Sequence, residues 1–151
     1  MVLSKACTYG ILASLYVARE SSRSNGYVSI GKMSEKLHIS FHFLTKILQE
    51  LTSAGLLTSM KGPKGGVALK RDAGKITLLD IIIAIDGMKV FTECLLGMPG
   101  CGTEKPCPVH DEWAEIREDL YETFRSKTLG ETVQKIEELD LRFALPELFD
   151  R

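Results

Sequence analysis

The sequence predicts a mainly α-helical fold in which the N-terminal region, residues 1–75, carries one small β-hairpin and the second region, 76–151, is helical. Apolar residues recur at intervals of three and four along much of the 151-residue chain, which is typical of helices with one buried face. A glycine-rich hexapeptide between two short apolar runs predicts the hairpin. Hydrophobic residues make up 44% of the chain, which is enough for the core of one domain.

Charge separates the two regions more clearly than hydrophobicity does. Residues 1–75 contain 11 Lys or Arg and 4 Asp or Glu, a net charge of +7, whereas residues 76–151 contain 8 and 16, a net charge of -8. A basic region joined to an acidic one is typical of a protein that presents one face to nucleic acid. Chance segregation of solvated charges would give the same totals. The order of the elements along the chain therefore has to decide whether the basic region binds nucleic acid.

The first element is a helix predicted over residues 4–19, with Ser4 as its N-cap and the segment SSRSNG after it. Thr8 and Ser14 interrupt its apolar residues, which argues against a signal peptide, and no apolar run approaches the roughly 18 residues of a membrane span. We therefore expect a soluble, cytoplasmic protein without membrane contact. In that reducing compartment, cysteines are expected to be ligands or redox groups rather than disulfides.

Two short helices follow, separated by the three residues HIS. Ser29 is expected to cap the first of them, IGKMSEKL, and Ser40 the second, FHFLTKILQELTSAG, which Gly55 ends. The second helix carries an apolar stripe formed by Phe43, Leu44, Ile47, Leu48 and Leu51. This arrangement predicts a helix-turn-helix, whose second helix enters the major groove of DNA.

The next segment, LLTSMKGPKGGVALKRD, predicts a two-stranded hairpin with a basic tip, the wing of a winged helix-turn-helix. Its glycines allow close approach to a sugar-phosphate backbone, and Lys61 and Lys64 supply cations there. A nucleotide-phosphate loop is the alternative interpretation. It is disfavoured because the segment lacks the GxxxxGK[ST] pattern and no helix starts directly after it.

The second region predicts three helices. The nearly all-apolar segment ITLLDIIIAIDG is expected to be buried between the two regions, and Thr128 and Glu131 form a capping box that starts TLGETVQKIEEL. Between them, HDEWAEIREDLYETFRSKT predicts a long helix with a stripe of Trp113, Ile116, Leu120 and Phe124. The stripe suits either core packing or a seam against a second subunit. The last segment, LRFALPELFDR, has no assigned role.

Three of the four cysteines lie in one loop (residues 91–110) of the second region, with a histidine just after the third. The spacing is C-x6-C-x5-C-x2-H, which gives the set Cys94, Cys101, Cys107 and His110. Thiolates and imidazole are ligands of iron-sulfur clusters, and the glycines of the loop would let the chain wrap such a group. Structural zinc, a metal-free thiol switch and idle surface cysteines stay open as alternatives, although zinc knuckles usually space ligands two to four residues apart.

Four parts of the sequence follow one another over about residues 2–135: LSKACTYG, LHISFHFLTKILQELTSAGLL, KGPKGGVAL and the cysteine loop. Together, in this order, they resemble the IscR/NsrR/CymR family of bacterial winged-helix regulators. The resemblance implies a homodimer that binds double-stranded operator DNA, in many members with an iron-sulfur cluster. The first cysteine interval here is one residue longer than the five usual in cluster-binding members. A glycine-rich segment can absorb that residue.

The family takes its fourth cluster ligand either from a histidine after the third cysteine or from an acidic residue in the first helix of the partner subunit. His110 matches the first pattern, whereas Thr8 stands at the second position and is a poor ligand. Cys7, next to Thr8, is the alternative, although buried cysteines are often inert. We therefore prefer His110, and the resemblance favours a [2Fe-2S] cluster.

The resemblance also implies which residues meet DNA. The segment from Ser40 to Lys46 is expected to read the major groove, with base contacts from His42, Thr45 and Lys46, while Lys61 and Lys64 hold the backbone or minor groove. Solvation alone is the alternative interpretation of His42, Thr45 and Lys46. The long helix of the second region is then the dimerisation helix.

The predicted function is a dimeric transcription regulator, such as a repressor, whose operator affinity is controlled by an iron-sulfur cluster in the 94–110 loop. A cluster-free regulator of the same family, controlled by thiol redox state or by a partner, and a zinc-containing DNA-binding protein are the alternatives. An enzyme is not expected, because the chain has no paired carboxylates, nucleophile-base motif or cofactor fingerprint.

Overall fold

The computed structural model describes residues 2–23 and 26–141, so the predicted tail beyond Leu141 lies outside the described residues. The fold is mainly α-helical with one small antiparallel sheet, as expected. Its elements in chain order are α1 (Lys5–Arg23), α2 (Ile30–Leu37), α3 (Phe41–Ser53), β1 (Leu57–Met60), β2 (Gly66–Leu69), a short 3-10 turn (Ala73–Lys75), α4 (Leu78–Asp86), α5 (Lys89–Thr92), α6 (His110–Ser126) and α7 (Leu129–Leu139).

Helix α1 begins where the sequence predicts and ends later. The Ser4 hydroxyl oxygen accepts a hydrogen bond from the Cys7 backbone N–H at 3.0 Å, which confirms the N-cap. The helix continues to Arg23, however, so the predicted end at residue 19 is wrong. Arg19 and Arg23 both pair with Glu137 of α7, at 2.7 and 3.0 Å, and these contacts extend the helix into the segment expected to break it.

The helix-turn-helix consists of α2 and α3, and each helix starts at the predicted serine. The hydroxyl oxygens of Ser29 and Ser40 accept from backbone N–H groups three residues on. His38 adopts a left-handed conformation (φ 53°) that ends α2, and Gly55 (φ 79°) lies one residue beyond the C-cap Ala54 of α3. The buried stripe of α3 consists of Leu44, Ile47, Leu48 and Leu51.

Strands β1 and β2 form the wing, paired from Leu57 with Leu69 to Met60 with Gly66. Val28, in the connection before α2, adds a bridge by exchanging two backbone hydrogen bonds with Val67, at 2.8 and 3.0 Å. Gly66 sits against this bridge with φ at 150°, and a Cβ there would collide with the Val28 carbonyl. The wing is therefore fixed to the helix-turn-helix at its base, while its tip is exposed.

Helix α4 lies in the core between the two regions, as predicted. It starts at a capping box formed by Thr77 and Asp80 and buries Leu79, Ile81 and Ile82. It packs against α1, α3 and α6. The approach to α1 is close at Gly10, where a Cβ would collide with the Ile85 side chain. Movement of α4 would therefore reach both the DNA-binding region and α6.

Helix α7 starts at the predicted capping box, in which the Thr128 hydroxyl accepts from Glu131 N–H and the Glu131 carboxylate accepts from Thr128 N–H. The chain on either side of this box pairs with the start of α4 through Leu78 N–H to Lys127 oxygen and Leu129 N–H to Ile76 oxygen. None of the helices within residues 2–23 and 26–141 has the length and hydropathy that a bilayer crossing requires.

Candidate functional site

The cysteine loop runs from the end of α5 to the start of α6 and folds back on itself through tight turns. Gly97 N–H bonds the Cys94 carbonyl at 3.0 Å, and Cys101 N–H bonds the Met98 carbonyl at 3.3 Å. Gly97 and Gly100 have φ values of 68° and 71°, a left-handed conformation that favours glycine. These turns fold the first interval of the motif, between Cys94 and Cys101.

The three loop cysteines converge as the spacing predicts. Their Sγ atoms all lie within 4.8 Å of one another, and the Cys94 and Cys107 sulfurs are 3.6 Å apart. His110 places Nδ1 3.4 Å from the Cys101 sulfur, so the histidine joins the group. All four cysteines of the chain are free thiols. We call Cys94, Cys101, Cys107 and His110 the cysteine site.

Backbone N–H groups point at the sulfurs and shift their proton affinity. The Met98 N–H, followed by other hydrogen bonds, lowers the pKa of Cys94 to about 7, so its thiol is partly ionised near neutral pH. The Val109 N–H lowers the pKa of Cys107, but burial and the neighbouring Cys94 and Cys101 thiols outweigh it and raise the pKa overall. Cys107 N–H also donates to the Cys101 sulfur at 3.4 Å.

This donor set fits a soft metal centre. Thiolates and imidazole hold zinc or iron-sulfur clusters, and donation from backbone N–H groups to sulfur stabilises the negative charge of bound thiolates. Two thiolates on one tetrahedral ion with bonds of about 2.3 Å lie about 3.8 Å apart. The measured separation of 3.6 Å between Cys94 and Cys107 is close to that distance. The residues would thus accept a metal centre with little rearrangement.

Helix α6 holds the start of the loop through two side chains that sequence reasoning did not connect with the site. The Glu93 carbonyl accepts from Trp113 Nε1 at 2.9 Å and from Arg117 Nη1 at 3.0 Å. Trp113, Arg117, His110 and the three cysteines all line one cavity of about 250 Å³. Positions 110, 113 and 117 share one helical face, a signal that could have revealed them.

The fourth cysteine is in a different environment. Cys7 is completely buried in α1, and burial together with the Asp86 carboxylate raises its pKa to about 12. It is not part of the sulfur group, whereas His110 contacts that group directly. Within one subunit, therefore, His110 lies beside the three loop cysteines and Cys7 does not. Thr8 donates its hydroxyl to the Ser4 carbonyl at 3.2 Å.

The candidate nucleic-acid interface is the exposed side of α3 with the wing. His42, Lys46, Lys61 and Lys64 are exposed. Thr45 is half-buried and donates its hydroxyl to the Phe41 carbonyl at 2.7 Å, which leaves its methyl group available for apolar contact. The Ser40 hydroxyl oxygen caps α3 and stays exposed. The six predicted residues thus lie on exposed parts of α3 and the wing.

A groove of about 690 Å³ runs between α3, the start of α2 and the wing, with Thr45 and Lys61 on its walls. Phe41, which sequence reasoning did not single out, also lines it. Its ring is 50% exposed and packs edge-on against the His42 imidazole, with centroids 6.0 Å apart. Phe41 therefore borders the same groove as Thr45 and Lys61.

Residues 3–135 match the model of the Rrf2 family, described as iron-dependent transcriptional regulators. The chain belongs to the Rrf2 family. It is 35% identical to the HTH-type transcriptional regulator IscR of Klebsiella pneumoniae over 141 residues, which cover 93% of this chain and 85% of that protein.

Solved structures agree with this Rrf2 assignment. T. potens IscR gives a TM-score of 0.71 at 25% identity and covers 93% of this chain and 91% of its own. CymR, the global cysteine regulator of B. subtilis, also gives 0.71 at 25% identity, with 87% of this chain and 95% of its own covered. The winged-helix fold and the predicted family are confirmed. Because the relatives are transcriptional regulators, this Rrf2 protein is a regulator and not an enzyme.

Proposed function

We propose that this Rrf2 protein is a dimeric regulator whose affinity for operator DNA is set by an iron-sulfur cluster, of the [2Fe-2S] type, bound at the cysteine site. The observation that carries the proposal is the convergence of three sulfurs within 4.8 Å, with the His110 imidazole beside them. The family description as iron-dependent regulators and the similarity to IscR favour iron over zinc. When bound, the cluster supplies a centre that redox changes or small molecules can alter.

Helix α6 supports the dimer. It has 17 residues and an amphipathic sequence, yet none of its residues is buried within one subunit. Ile116 is 49% exposed on it. A helix of this length normally buries one face, so a second subunit would complete its packing.

The position of the loop supports control of DNA binding. The loop leads directly into α6, while α4 packs against α6 as well as against α1 and α3 of the DNA-binding region. Ligation would hold Cys94, Cys101 and Cys107 together, whereas loss of the metal would free a glycine-rich loop to gain conformational entropy. A dimer reads half-sites about one helical turn apart, so a small change at α6 would cost base contacts on both sides.

Cluster control is tested by anaerobic purification followed by visible spectroscopy and operator titration. Cys94→Ala, Cys101→Ala and Cys107→Ala should each abolish the visible absorbance and give the same altered operator affinity, while the apo dimer stays folded. His110→Ala should leave a weaker, more labile cluster. If all three cysteine variants bound operator like the loaded parent, the thiols would be structural or vestigial.

Structural zinc is a second candidate, because sulfurs this close together also fit one tetrahedral ion. Metal and sulfide analysis of the purified protein separates the two. Iron with an equal amount of acid-labile sulfide supports the cluster, whereas a single zinc without sulfide supports the alternative. A protein with neither, whose operator affinity follows peroxide treatment, would be the thiol-controlled regulator.

DNA recognition is proposed to divide between α3 and the wing. Changing Thr45 or His42 to Ala should relax preference among operators, because those side chains lie on the exposed side of α3. Changing Lys61 or Lys64 to Ala should weaken binding to all sequences and lower the salt dependence by about one unit of slope, as expected for a phosphate contact. Affinity measured on cognate and scrambled duplexes over a salt series tests this. Equal losses of affinity on every DNA sequence from the α3 substitutions and the wing substitutions would refute this division of roles.

A further inference from the structure

Arg117 is a cation placed at the cysteine site with part of its hydrogen-bonding capacity unused. It lines the same cavity as Cys94, Cys101 and Cys107, and among the lining residues it is the one permanent charge. Its Nη1 donates to the Glu93 carbonyl at 3.0 Å. Its Nε is buried and has no hydrogen-bond partner within the described part of the chain.

A buried, unpartnered N–H on a charged group is costly, and native proteins rarely leave one without a reason. Metal binding at the cysteine site requires deprotonated thiols, so an occupied site carries several negative charges in a small cavity. A guanidinium at the wall would offset that charge, and its unpartnered Nε–H is a donor still available to an anionic acceptor. The cavity thus presents a positive charge and a donor for which the described part of the chain supplies no acceptor.

We propose that Arg117 is a positioning residue of the metal centre, whose Nε–H and positive charge act on the anionic, sulfur-rich group bound by the three cysteines. This inference rests on the proposed function, because it assigns a partner to the occupant of the same site. The acceptor is a sulfur of that group, either a bound thiolate or an inorganic sulfide. Arg117 thereby stabilises the more negative, reduced form and slows loss of the metal.

Trp113 makes it possible to separate this role from simple anchoring of the loop. Its indole N–H donates to the same Glu93 carbonyl, at 2.9 Å, but carries no charge. Trp113→Phe therefore removes one anchor and keeps the cation, whereas Arg117→Met removes an anchor, the cation and the Nε–H together. Arg125 on the same helix, exposed and paired with Glu122 at 2.6 Å, provides a charge control away from the cavity.

The test compares parent, Arg117→Met, Arg117→Lys, Trp113→Phe and Arg125→Met after anaerobic reconstitution with iron and sulfide. Arg117→Met should shift the midpoint potential to a more negative value and retain metal about tenfold less well. Arg117→Lys should keep a potential near that of the parent but lose metal faster, because it lacks the Nε–H. Trp113→Phe and Arg125→Met should keep the parent potential. Apo-protein melting temperatures show whether any variant is merely misfolded.

Cobalt titration in competition with a chelator distinguishes failure of this inference from failure of the proposed function. If the parent holds Co²⁺ but no cluster, the proposed function fails, and a tenfold weaker Co²⁺ affinity in Arg117→Met still supports the role of Arg117. If the parent holds a cluster and Arg117→Met matches it in potential and retention, the role of Arg117 is refuted and the proposed function stands. If the parent binds neither a cluster nor Co²⁺, the proposed function and the role of Arg117 are both refuted.

Discussion

At the scale of single residues, the four cysteines divide into three that face the loop cavity and one that is sealed in the core. Cys7 is fully buried, and burial together with Asp86 raises the pKa of its thiol from 9.0 to about 12. We expect a thiol-specific reagent to modify Cys94 of the native apo protein fastest, because its pKa is lowered, the buried Cys107 more slowly, and Cys7 only on unfolding. Cys7→Ala should abolish only the reaction that requires unfolding. Modification of Cys7 in the native protein as fast as that of Cys94 would contradict this.

The Cys7 thiol also makes the stability of the folded protein depend on pH, with a definite sign. Because the folded-state pKa lies above the unfolded value, the protonated Cys7 thiol contributes its full stability below about pH 9, and that contribution is lost as pH rises toward about 12. The melting temperature of the parent should therefore fall more steeply over this range than that of Cys7→Ala. Equal slopes would mean that Cys7 ionises without cost in the folded state.

Sequence reasoning could identify side chains that lie together where the residue type itself is distinctive. Cysteine and histidine are recognisable as possible ligands, and the structure brings the three sulfurs and the His110 imidazole together. That they bind a metal stays a prediction. The contact of Arg117 with the Glu93 carbonyl was missed because a backbone acceptor has no residue-type signature. Its discovery needed the three-dimensional path of the loop.

At the scale of elements, helix starts were predictable and one helix end was not. Ser4, Ser29, Ser40 and Thr128 all cap helices as expected, because capping depends on residues three positions apart. The end of α1 depends on ion pairs with Glu137, more than one hundred residues away. Distant partners of this kind are invisible to local patterns.

The capping box of α7 also holds two helix starts together. Thr128 caps α7 while its neighbours pair with the chain at the start of α4. We expect Thr128→Ala to lower the free energy of unfolding by about 1 kcal/mol, measured by urea denaturation. Thr132→Ala, which removes a hydroxyl of the same helix that donates to the Thr128 carbonyl and caps no N–H, is the matched control and should change stability by less than about 0.5 kcal/mol. Equal effects would argue against a special role for this cap.

At the scale of the whole molecule, the DNA-binding region and α6 are joined through packed elements rather than by a linker. Helix α4 contacts α1, α3 and α6, and the base of the wing is bonded to the connection before α2. A change in the cysteine loop would therefore act on α6 and, through α4, on the DNA-binding region. That arrangement suits the proposed control of half-site spacing more than control by unfolding of either region.

The apolar stripe predicted on α6 is divided between two uses. Trp113 binds the Glu93 carbonyl, and Phe124 packs edge-on against Phe91 with centroids 6.2 Å apart, so these two residues serve their own subunit. Ile116 stays 49% exposed. Periodicity could identify the stripe but not which of its residues pack within the subunit, because the partner Phe91 lies on a different helix, distant in the sequence.

Ile116 therefore tests the proposed dimer. Ile116→Glu should leave the subunit folded, because the side chain is largely exposed within it, but should place a charge in the apolar seam and shift the protein toward a monomer. Light scattering after gel filtration measures the mass, and operator titration should lose affinity because a monomer contacts one half-site at a time. Leu139→Glu, at a side chain 60% exposed on α7, is the control and should remain dimeric. A dimer of unchanged stability in Ile116→Glu would place the interface elsewhere and remove α6 from the proposed route between the cysteine site and DNA.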